Sequence, residues 1–268
     1  MARGMPRWLA AALGGVALVF AWWLLSVTAF RPPQGTDFTP VPSPAAVIDW
    51  LFVQGNIVGA WGVFSPTITE AAIGFAWGNG LALLLAAVVL LVPKAETVIT
   101  QIAVVSYCLP LVAVGGISIV VLGGAKQPGA PSATAIFLAA LSVFFTTVVG
   151  ALLGFRSADE RSLDVVRVYG GTRWTELVKV RLVAALPSIL NALQIAVPTA
   201  FLGAVLGEYM GATDRSVGIT LVRLQGQLES AGVWAVFLLC AIVALAGYAV
   251  VGVLARLVTP WVSGRGRA

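Results

Sequence analysis

The chain alternates between long apolar runs and short polar segments. Six runs are long enough to cross a hydrocarbon core of about 30 Å as helices; they lie at positions 9–30, 67–92, 98–122, 133–155, 188–207 and 232–257. One long polar segment, Ser157–Pro187, separates the fourth run from the fifth and holds nine of the 27 charged residues (16 basic and 11 acidic). The pattern predicts an all-α integral membrane protein, a single domain over residues 1–268 with six transmembrane helices and one folded element outside the bilayer.

The first apolar run permits two interpretations. It follows Arg3 and Arg7, and Val27-Thr28-Ala29 resembles the cleavage site of a signal peptide. The apolar part of a signal peptide usually has about 7–15 residues, which is shorter than this run. The length therefore favours an uncleaved first span.

The polar segment Ser157–Pro187 predicts two short helices joined by a glycine turn. Ser157 and Glu160 have the spacing of a capping box, in which a Ser and a Glu three residues later satisfy backbone amides at a helix start. Gly170 and Gly171 are residues with which a helix commonly ends. A second helix is predicted over positions 172–186. The segment is therefore expected to be folded.

One apolar stripe follows the first of these short helices. Leu163, Val166 and Tyr169 recur at three-residue spacing, with Val165 and Val168 beside them. Such a stripe suits a groove on a partner protein. It also suits a lipid surface, where basic side chains would face anionic headgroups. Those basic residues are Arg161, Arg167, Arg173, Lys179 and Arg181. Periodicity alone leaves both interpretations open.

A spaced pattern runs through the same segment. Asp164-Val165-Val166 is followed after three residues by Gly170, and nine residues later by Val180-Arg181-Leu182-Val183. This resembles the EAA loop of the permease subunits of ATP-binding-cassette importers, in which Glu-Ala-Ala, Gly and Ile-x-Leu-Pro have these spacings. Gly170 and Leu182 match in identity. Asp164 replaces Glu, two Val replace two Ala, and Val183 replaces Pro, so the following helix is expected to be more continuous than in the family.

Further motifs resemble one branch of that family. Leu186-Pro187-Ser188-Ile189-Leu190 resembles a run found after the loop in sulfonate, nitrate, taurine and pyrimidine-precursor permeases. Glu208, Gly211 and Gly218 match a Glu-x-x-Gly segment at the far end of the fifth span. The resemblance covers about residues 42–257.

The resemblance implies the permease subunit of a binding-protein-dependent importer of a small solute. Two copies of the chain would form the translocation path, an extracytoplasmic solute-binding protein would deliver the solute, and two ATPase subunits would dock beneath. ATP and Mg²⁺ would be bound by those ATPases, with no cofactor, metal or catalytic residue in this chain. Contact with the ATPase would be made by Leu163, Asp164, Val165, Val166, Tyr169, Gly170 and Gly171.

The distribution of Lys and Arg orients the chain. With both termini and the polar segment on one side of six spans, that side holds 12 of the 16 basic residues and the other side holds four. Cytoplasmic loops carry such an excess. We therefore expect a multi-pass inner-membrane protein, in contact with lipid, with both termini cytoplasmic. The same topology explains the net charge of +5, so no nucleic-acid partner is expected.

Two other function classes were weighed. A secondary transporter usually carries ionisable residues at membrane depth, but Glu70 and Glu208 are the only acids near a span, each toward its outer end, and no charge lies at a predicted midplane. A membrane enzyme would need clustered nucleophiles, acids or metal ligands, and the chain has no histidine. It also lacks the Gly-x-x-x-x-Gly-Lys-Ser/Thr phosphate loop, so ATP would bind a separate polypeptide. An ATP-independent secondary transporter remains the alternative.

A few polar residues lie within or at the ends of the apolar runs. They could contact the solute, or they could hydrogen-bond between helices, which is the ordinary use of such residues in membranes. The candidates for the translocation path are Asn79, Ser106, Asn191, Gln194 and Glu208.

Overall fold

The computed structural model describes residues 6–31, 39–125, 127, 130–211 and 215–261, without the side chains of Arg7 and Arg173. Within these residues the chain forms helices and turns, and no strand occurs among them. The helices are α1 (Arg7–Thr28), α2 (Pro44–Ile48), α3 (Ala60–Leu91), α4 (Glu96–Cys108), α5 (Leu111–Leu122), α6 (Ala133–Arg156), α7 (Glu160–Val168), α8 (Arg173–Glu176), α9 (Leu182–Gly211), α10 (Val217–Gly226) and α11 (Ser230–Val258).

Five helical stretches in the described residues are long and apolar enough to cross a membrane. These are Trp8–Thr28, Asn56–Leu91, Ala133–Arg156, Trp174–Gly211 and Ser230–Val258. The bent pair α4 and α5 makes a sixth span if both helices are counted together. The all-helical membrane fold is therefore confirmed, while the layout of six complete spans stays a prediction.

The predicted third span, 98–122, is broken at its middle. α4 ends at Cys108, α5 begins at Leu111, and the two helices are bent by 93°. Pro110 has no backbone N–H and disfavours a helical conformation at the residue before it, and Leu109 is indeed extended, with ψ of 128°. The predicted third span is therefore a pair of helices bent at Pro110.

The fifth span begins earlier than predicted. α8 and α9 belong to one continuous helix. It runs from Trp174 to Gly211 and includes Pro187 and Pro198. Val183 stands where the family pattern has a Pro, so its backbone N–H is available to the helix. The continuity that this replacement predicted is confirmed. A separate second short helix ending at Leu186 does not exist.

The chain divides into two compact units, residues 63–219 with 242–268 and residues 1–62 with 220–241. In the first, larger unit, α6 packs along α9 and against α3 through small residues. A Cβ added to Gly78 of α3 would lie 2.3 Å from the Ala140 carbonyl oxygen, and one added to Gly207 of α9 would lie 2.4 Å from Ala135 Cα. Small residues allow this close approach in lipid.

The smaller unit is built around tryptophans. The Trp22 indole of α1 stacks on Trp234 of α11 with ring centroids 5.4 Å apart, and its N–H donates to the Pro42 carbonyl at 3.0 Å. Pro44 is the first residue of α2, and the Ser43 hydroxyl accepts a hydrogen bond from the Ala46 N–H. Aromatic rings of this kind anchor a connection at the membrane–water interface.

Candidate coupling segment and polar residues of the membrane helices

The candidate coupling segment, residues 157–187, begins differently from the prediction. Asp159 is the N-cap of α7, and its side chain accepts a hydrogen bond from the Arg161 N–H at 3.4 Å. The Ser157 hydroxyl lies 3.1 Å from the Ala184 carbonyl oxygen, so it connects the end of α6 to the start of α9. The predicted capping box of Ser157 and Glu160 is therefore wrong, because Ser157 is the C-cap of α6, with a helical backbone and its hydroxyl also 2.7 Å from the Gly154 carbonyl oxygen, and the extended N-cap residue of α7 is Asp159.

Two glycines end α7 for different reasons. Gly170 has φ of +73°, a backbone conformation that costs a residue with a Cβ about 1–2 kcal/mol. Gly171 donates its N–H to the Val166 carbonyl at 2.8 Å, and a Cβ there would lie 2.3 Å from Val166 Cγ1. Thr172 then begins the next helix, accepting a hydrogen bond from the Thr175 N–H. The glycine turn is where the sequence predicts it.

The apolar stripe of α7 is divided between the protein and solvent. Leu163 is only 4% exposed, and Val166 is half-buried. Val168 and Tyr169 are 85% and 87% exposed, and Val165 also faces outward. Leu163 therefore fixes α7 to the protein and cannot enter a groove on a partner, which corrects the predicted stripe. We call Val165, Val168 and Tyr169 the outward face of α7.

Arg167 connects α7 to α8. Its Nε donates to Glu176 Oε1 at 2.8 Å and its Nη1 donates to Asp164 Oδ1 at 3.1 Å. The Glu176 carboxylate, with a smaller contribution from Asp164, raises the pKa of the Arg167 guanidinium above its ordinary value. The guanidinium is therefore charged at every physiological pH. Asp164, predicted to contact the ATPase, is already paired within α7.

An open cavity of about 460 Å³ lies between this helix pair and the neighbouring ends of α3, α4 and α6. Arg156 and Glu96 form an ion pair in its wall, which connects α6 to α4. The charged residues that line the cavity are Glu96, Arg156, Arg167, Glu176 and Arg181. Three basic and two acidic groups give the cavity a net charge of +1, and it is open to water.

Two of the predicted path residues have other surroundings: Asn79 lies in a contact between helices, and Ser106 lies at an apolar surface. Asn79 is buried; its Oδ1 accepts a hydrogen bond from the Thr147 hydroxyl of α6, and its Nδ2 donates to the Phe75 carbonyl at 2.7 Å. The Ser106 hydroxyl donates to the Ala103 carbonyl in its own helix, and Ser106 lines an apolar groove of about 770 Å³. Asn79 therefore packs α3 against α6.

The other three path candidates lie on α9. Asn191 is exposed and Gln194 is half-buried. Gln194 lies against Gly252, because a Cβ added to Gly252 would lie 2.4 Å from Gln194 Nε2. Glu208 is fully buried. No hydrogen bond within the described residues joins any two of the five predicted path residues. The structure does not gather them, and a role in the path stays a prediction.

The comparison with known proteins identifies the family. The family of binding-protein-dependent transport system inner membrane components matches residues 78–264, which is more than half of the chain. The chain belongs to this family of ABC transport permeases. The apolar helices agree with this assignment to a multi-pass inner-membrane protein, and a permease is a transporter component rather than an enzyme.

Three relatives locate the permease within the family. It is 25% identical over 195 residues to the formylaminopyrimidine transport permease protein ThiX of Halalkalibacterium halodurans, covering 73% of this chain and 75% of that protein. It is 26% identical over 226 residues to SsuC of Bacillus subtilis, assigned to aliphatic sulfonates transport, with 83% and 78% covered. It is 24% identical over 264 residues to the riboflavin transport system permease protein RibX of Chloroflexus aurantiacus, with 97% and 94% covered. The predicted sulfonate and pyrimidine-precursor branch is confirmed.

Two carboxyl groups of the permease meet at the far end of the larger unit, away from α7. Glu70 of α3 and Glu208 of α9 are both 0% exposed. Glu70 Oε1 accepts the Ser132 N–H at 2.6 Å, and Glu208 Oε2 accepts the Gly218 N–H at 2.9 Å. The two side chains come together because Val217, next to Gly218, donates its N–H at 3.2 Å to the hydroxyl of Thr67, one turn before Glu70 on α3, and the two carboxyl groups are in contact. We call Glu70 and Glu208 the carboxyl pair.

The contact between these two glutamates was not predicted from the sequence. A signal was available, because Glu70 lies in the run 67–92, Glu208 directly follows the run 188–207, and neither run contains a basic residue. A buried acid in lipid needs a partner, so each predicts the other. α10 was not predicted either, because no predicted span or short helix covers Val217–Gly226.

Proposed function

We propose that the permease is the membrane subunit of an ATP-driven importer that receives its solute from a binding protein and is moved by a separate ATPase. The observation that carries this proposal is the outward face of α7. Val168 and Tyr169 are almost fully exposed, although α7 itself is fixed by Leu163 and Arg167. A fixed helix with an uncovered apolar face suits a groove on a partner protein.

The connection from α7 into the membrane supports the same proposal. Arg167 pairs with Glu176 at the start of the helix that runs without a break from Trp174 to Gly211. Ser157 joins the end of α6 to the start of α9. A displacement of α7 is therefore passed to α6 and α9, the two helices that pack together in the larger unit.

The proposed cycle uses two copies of the chain and two ATPase subunits. ATP and Mg²⁺ bind the ATPases, which close and draw the two α7 helices inward. This movement opens the path outward to the loaded binding protein, and hydrolysis returns it to the inward state. We propose that α7 and both termini lie in the cytoplasm, where ATP is available, because cytoplasmic loops carry an excess of basic residues.

We propose a small organic solute of the kind named for the relatives, a heterocycle or a sulfonate. Asn79 and Gln194 are engaged in helix contacts. The binding protein therefore selects the solute, and the path through the permease binds it only weakly.

The first experiment is co-purification of the permease with the ATPase encoded beside it. Tyr169→Glu places a charge in the middle of the outward face, and we expect it to abolish co-purification because a carboxylate would be buried without a partner. Tyr169→Phe keeps the apolar ring and serves as the matched control, with complex formation retained.

Two results would contradict the proposal. If the wild-type permease binds no ATPase and solute uptake persists after ATP depletion, the secondary transporter becomes the better explanation, and α7 lies on the lipid surface. If Tyr169→Glu binds the ATPase as well as wild type does, the outward face is not the docking surface.

A further inference from the structure

The carboxyl pair has no part in the proposed import cycle, yet its surroundings are specific. Each carboxyl group uses one oxygen to accept a backbone N–H, from Ser132 or from Gly218. The other two oxygens, Glu70 Oε2 and Glu208 Oε1, are buried and have no N–H or O–H donor among the described residues. The hydroxyls of Thr67 and Ser216 also contact the Glu208 carboxyl group.

Two ionised carboxylates are acceptors only, so neither can satisfy the other. Their negative charges would also repel at this distance, which strongly favours a proton on one member of such a pair. We infer that Glu70 and Glu208 form a proton-binding site that holds one proton between them. The protonated carboxyl group donates its O–H to the free oxygen of its partner, and the pair carries a charge of −1.

A metal ion fits these residues poorly. Ca²⁺ takes six to eight oxygen ligands and Mg²⁺ six, whereas the pair offers two free oxygens. Among the described residues no group of three or more His, Cys, Asp or Glu side chains could hold a metal ion. A shared proton needs one oxygen that carries it and a second oxygen that accepts the hydrogen bond. The two free oxygens provide both.

The surroundings contain no described cation that would neutralise the pair. The contacts come from Thr67 of α3, Ser132 before α6, and Ser216 and Gly218 at the start of α10, none of which is charged. Nearby in sequence, Tyr209 of α9 is partly exposed and Arg215 is exposed. Two further ionisable residues of these connections, Lys126 and Asp214, lie outside the described residues.

Binding of the proton couples pH to the packing of this end of the molecule. The pair and its N–H donors connect α3, the start of α6, the end of α9 and the start of α10. Removing the proton leaves two negative charges in contact, and these separate α3 from α9. Because the packed arrangement binds a proton that the separated one does not hold, its stability falls as pH rises through the titration of the pair.

The test is infrared spectroscopy of the full-length permease in lipid nanodiscs. A protonated carboxyl group has a C=O stretching band that carboxylates lack and that shifts in heavy water. We expect this band at neutral pH from one buried carboxyl group per chain. It should disappear in Glu70→Gln, because the Gln amide supplies the donor and Glu208 no longer needs a proton. The matched control is Glu229→Gln, at an exposed carboxyl group, which should leave the band unchanged.

A second measurement does not depend on the folding of a variant. The thermal unfolding midpoint of the wild-type permease should fall over the same pH interval in which the band is lost. Absence of the band at neutral pH would overturn the inference, as would a band that persists in the double variant of Glu70→Gln and Glu208→Gln. A band from two carboxyl groups per chain would also overturn it, because the site would then hold two protons.

Discussion

The two ends of the larger unit differ in how their charged groups are paired and buried. At the α7 end, Arg156–Glu96 and Arg167–Glu176 match positive with negative charge around an open cavity. At the far end, two carboxyl groups are completely buried and no described contact of theirs is basic. The same helices, α6 and α9, reach both ends, which are about 35 Å apart along α6 at 1.5 Å per residue.

This difference shows what each end can tolerate. Ion pairs that reach water can exchange partners at little cost, which suits an end that meets another protein. A buried carboxyl group cannot, because each of its oxygens needs a donor. We therefore expect substitutions at the far end to affect folding, and substitutions at the α7 end to affect transport more than folding.

The largest expected effect tests the packing of α6 on α9 at both ends. A Cβ on Gly207, at the far end, would lie 2.4 Å from Ala135 Cα, whereas one on Gly154, near α7, would lie 2.9 Å from the Ala185 carbonyl oxygen. Overpacking costs about 1–3 kcal/mol, so Gly207→Ala should be near the top of this range and Gly154→Ala near the bottom. Thermal unfolding midpoints in one detergent measure the difference.

Gly80→Ala is the matched control for that pair, because nothing lies within 4 Å of its Cβ position on α3. It should leave the midpoint unchanged or raise it slightly. Equal losses for the Gly207 and Gly154 variants would mean that the two ends are equally close-packed.

The next effect concerns the turn after α7. Gly170→Val introduces a β-branched residue at φ of +73° and should cost about 1–2 kcal/mol. It should also reduce solute uptake, since the turn sets the direction of α8. Gly55→Val is the matched control, because Gly55 has the same φ but lies in a surface turn of the smaller unit. Normal uptake by normally expressed Gly170→Val would contradict the role of the turn.

A smaller effect is expected at the junction of α6 and α9. Ser157→Ala removes the hydroxyl contact with Ala184, and the net loss should be about 1 kcal/mol, typical of one hydrogen bond. Chemical denaturation would measure it, with Ser162→Ala at an exposed position of α7 as control. No difference between the two variants would show that the hydroxyl contact does not hold the junction.

The smallest expected effect is at the α7 end, where the consequence of an Arg167 substitution for uptake should not depend on pH. The Glu176 carboxylate raises the pKa of Arg167, so the contribution of the charged guanidinium to stability is fully present across the physiological pH range and is lost only in strong alkali. Arg167→Met should lower uptake per ATP hydrolysed, and the ratio of mutant to wild-type uptake should be constant between about pH 6 and pH 9. A ratio that changes in this interval would show that another titrating group controls the connection.

Features of the fold that depend on neighbours in sequence were predictable. The apolar runs predicted the membrane helices, and Gly170 with Gly171 predicted the end of α7. Replacement of a Pro by Val183 predicted the continuous helix into α9. Each of these depends on composition or on one backbone position, so a single sequence contains the necessary information.

Features that depend on distant contacts were not predictable from the sequence. Ser157 has the spacing of a helix cap, but α6 extends far enough that Ser157 ends that helix instead of beginning the next one. Leu163 belongs to the stripe by periodicity, and only the tertiary packing decides that it faces inward. The carboxyl pair joins residues from α3 and α9, whose relative register along the membrane is set by the small-residue contacts of both helices with α6.

The unbroken helix Trp174–Gly211 also sets the scale of any motion between the two ends. Its 38 residues form a rod about 57 Å long at 1.5 Å per residue. If the rod tilts by about 10° around its midpoint, each tip moves by roughly 5 Å, in opposite directions. A tilt that carries Trp174 one way therefore carries Glu208 the other way, so displacement of the Trp174 tip by a partner also strains the contact within the carboxyl pair.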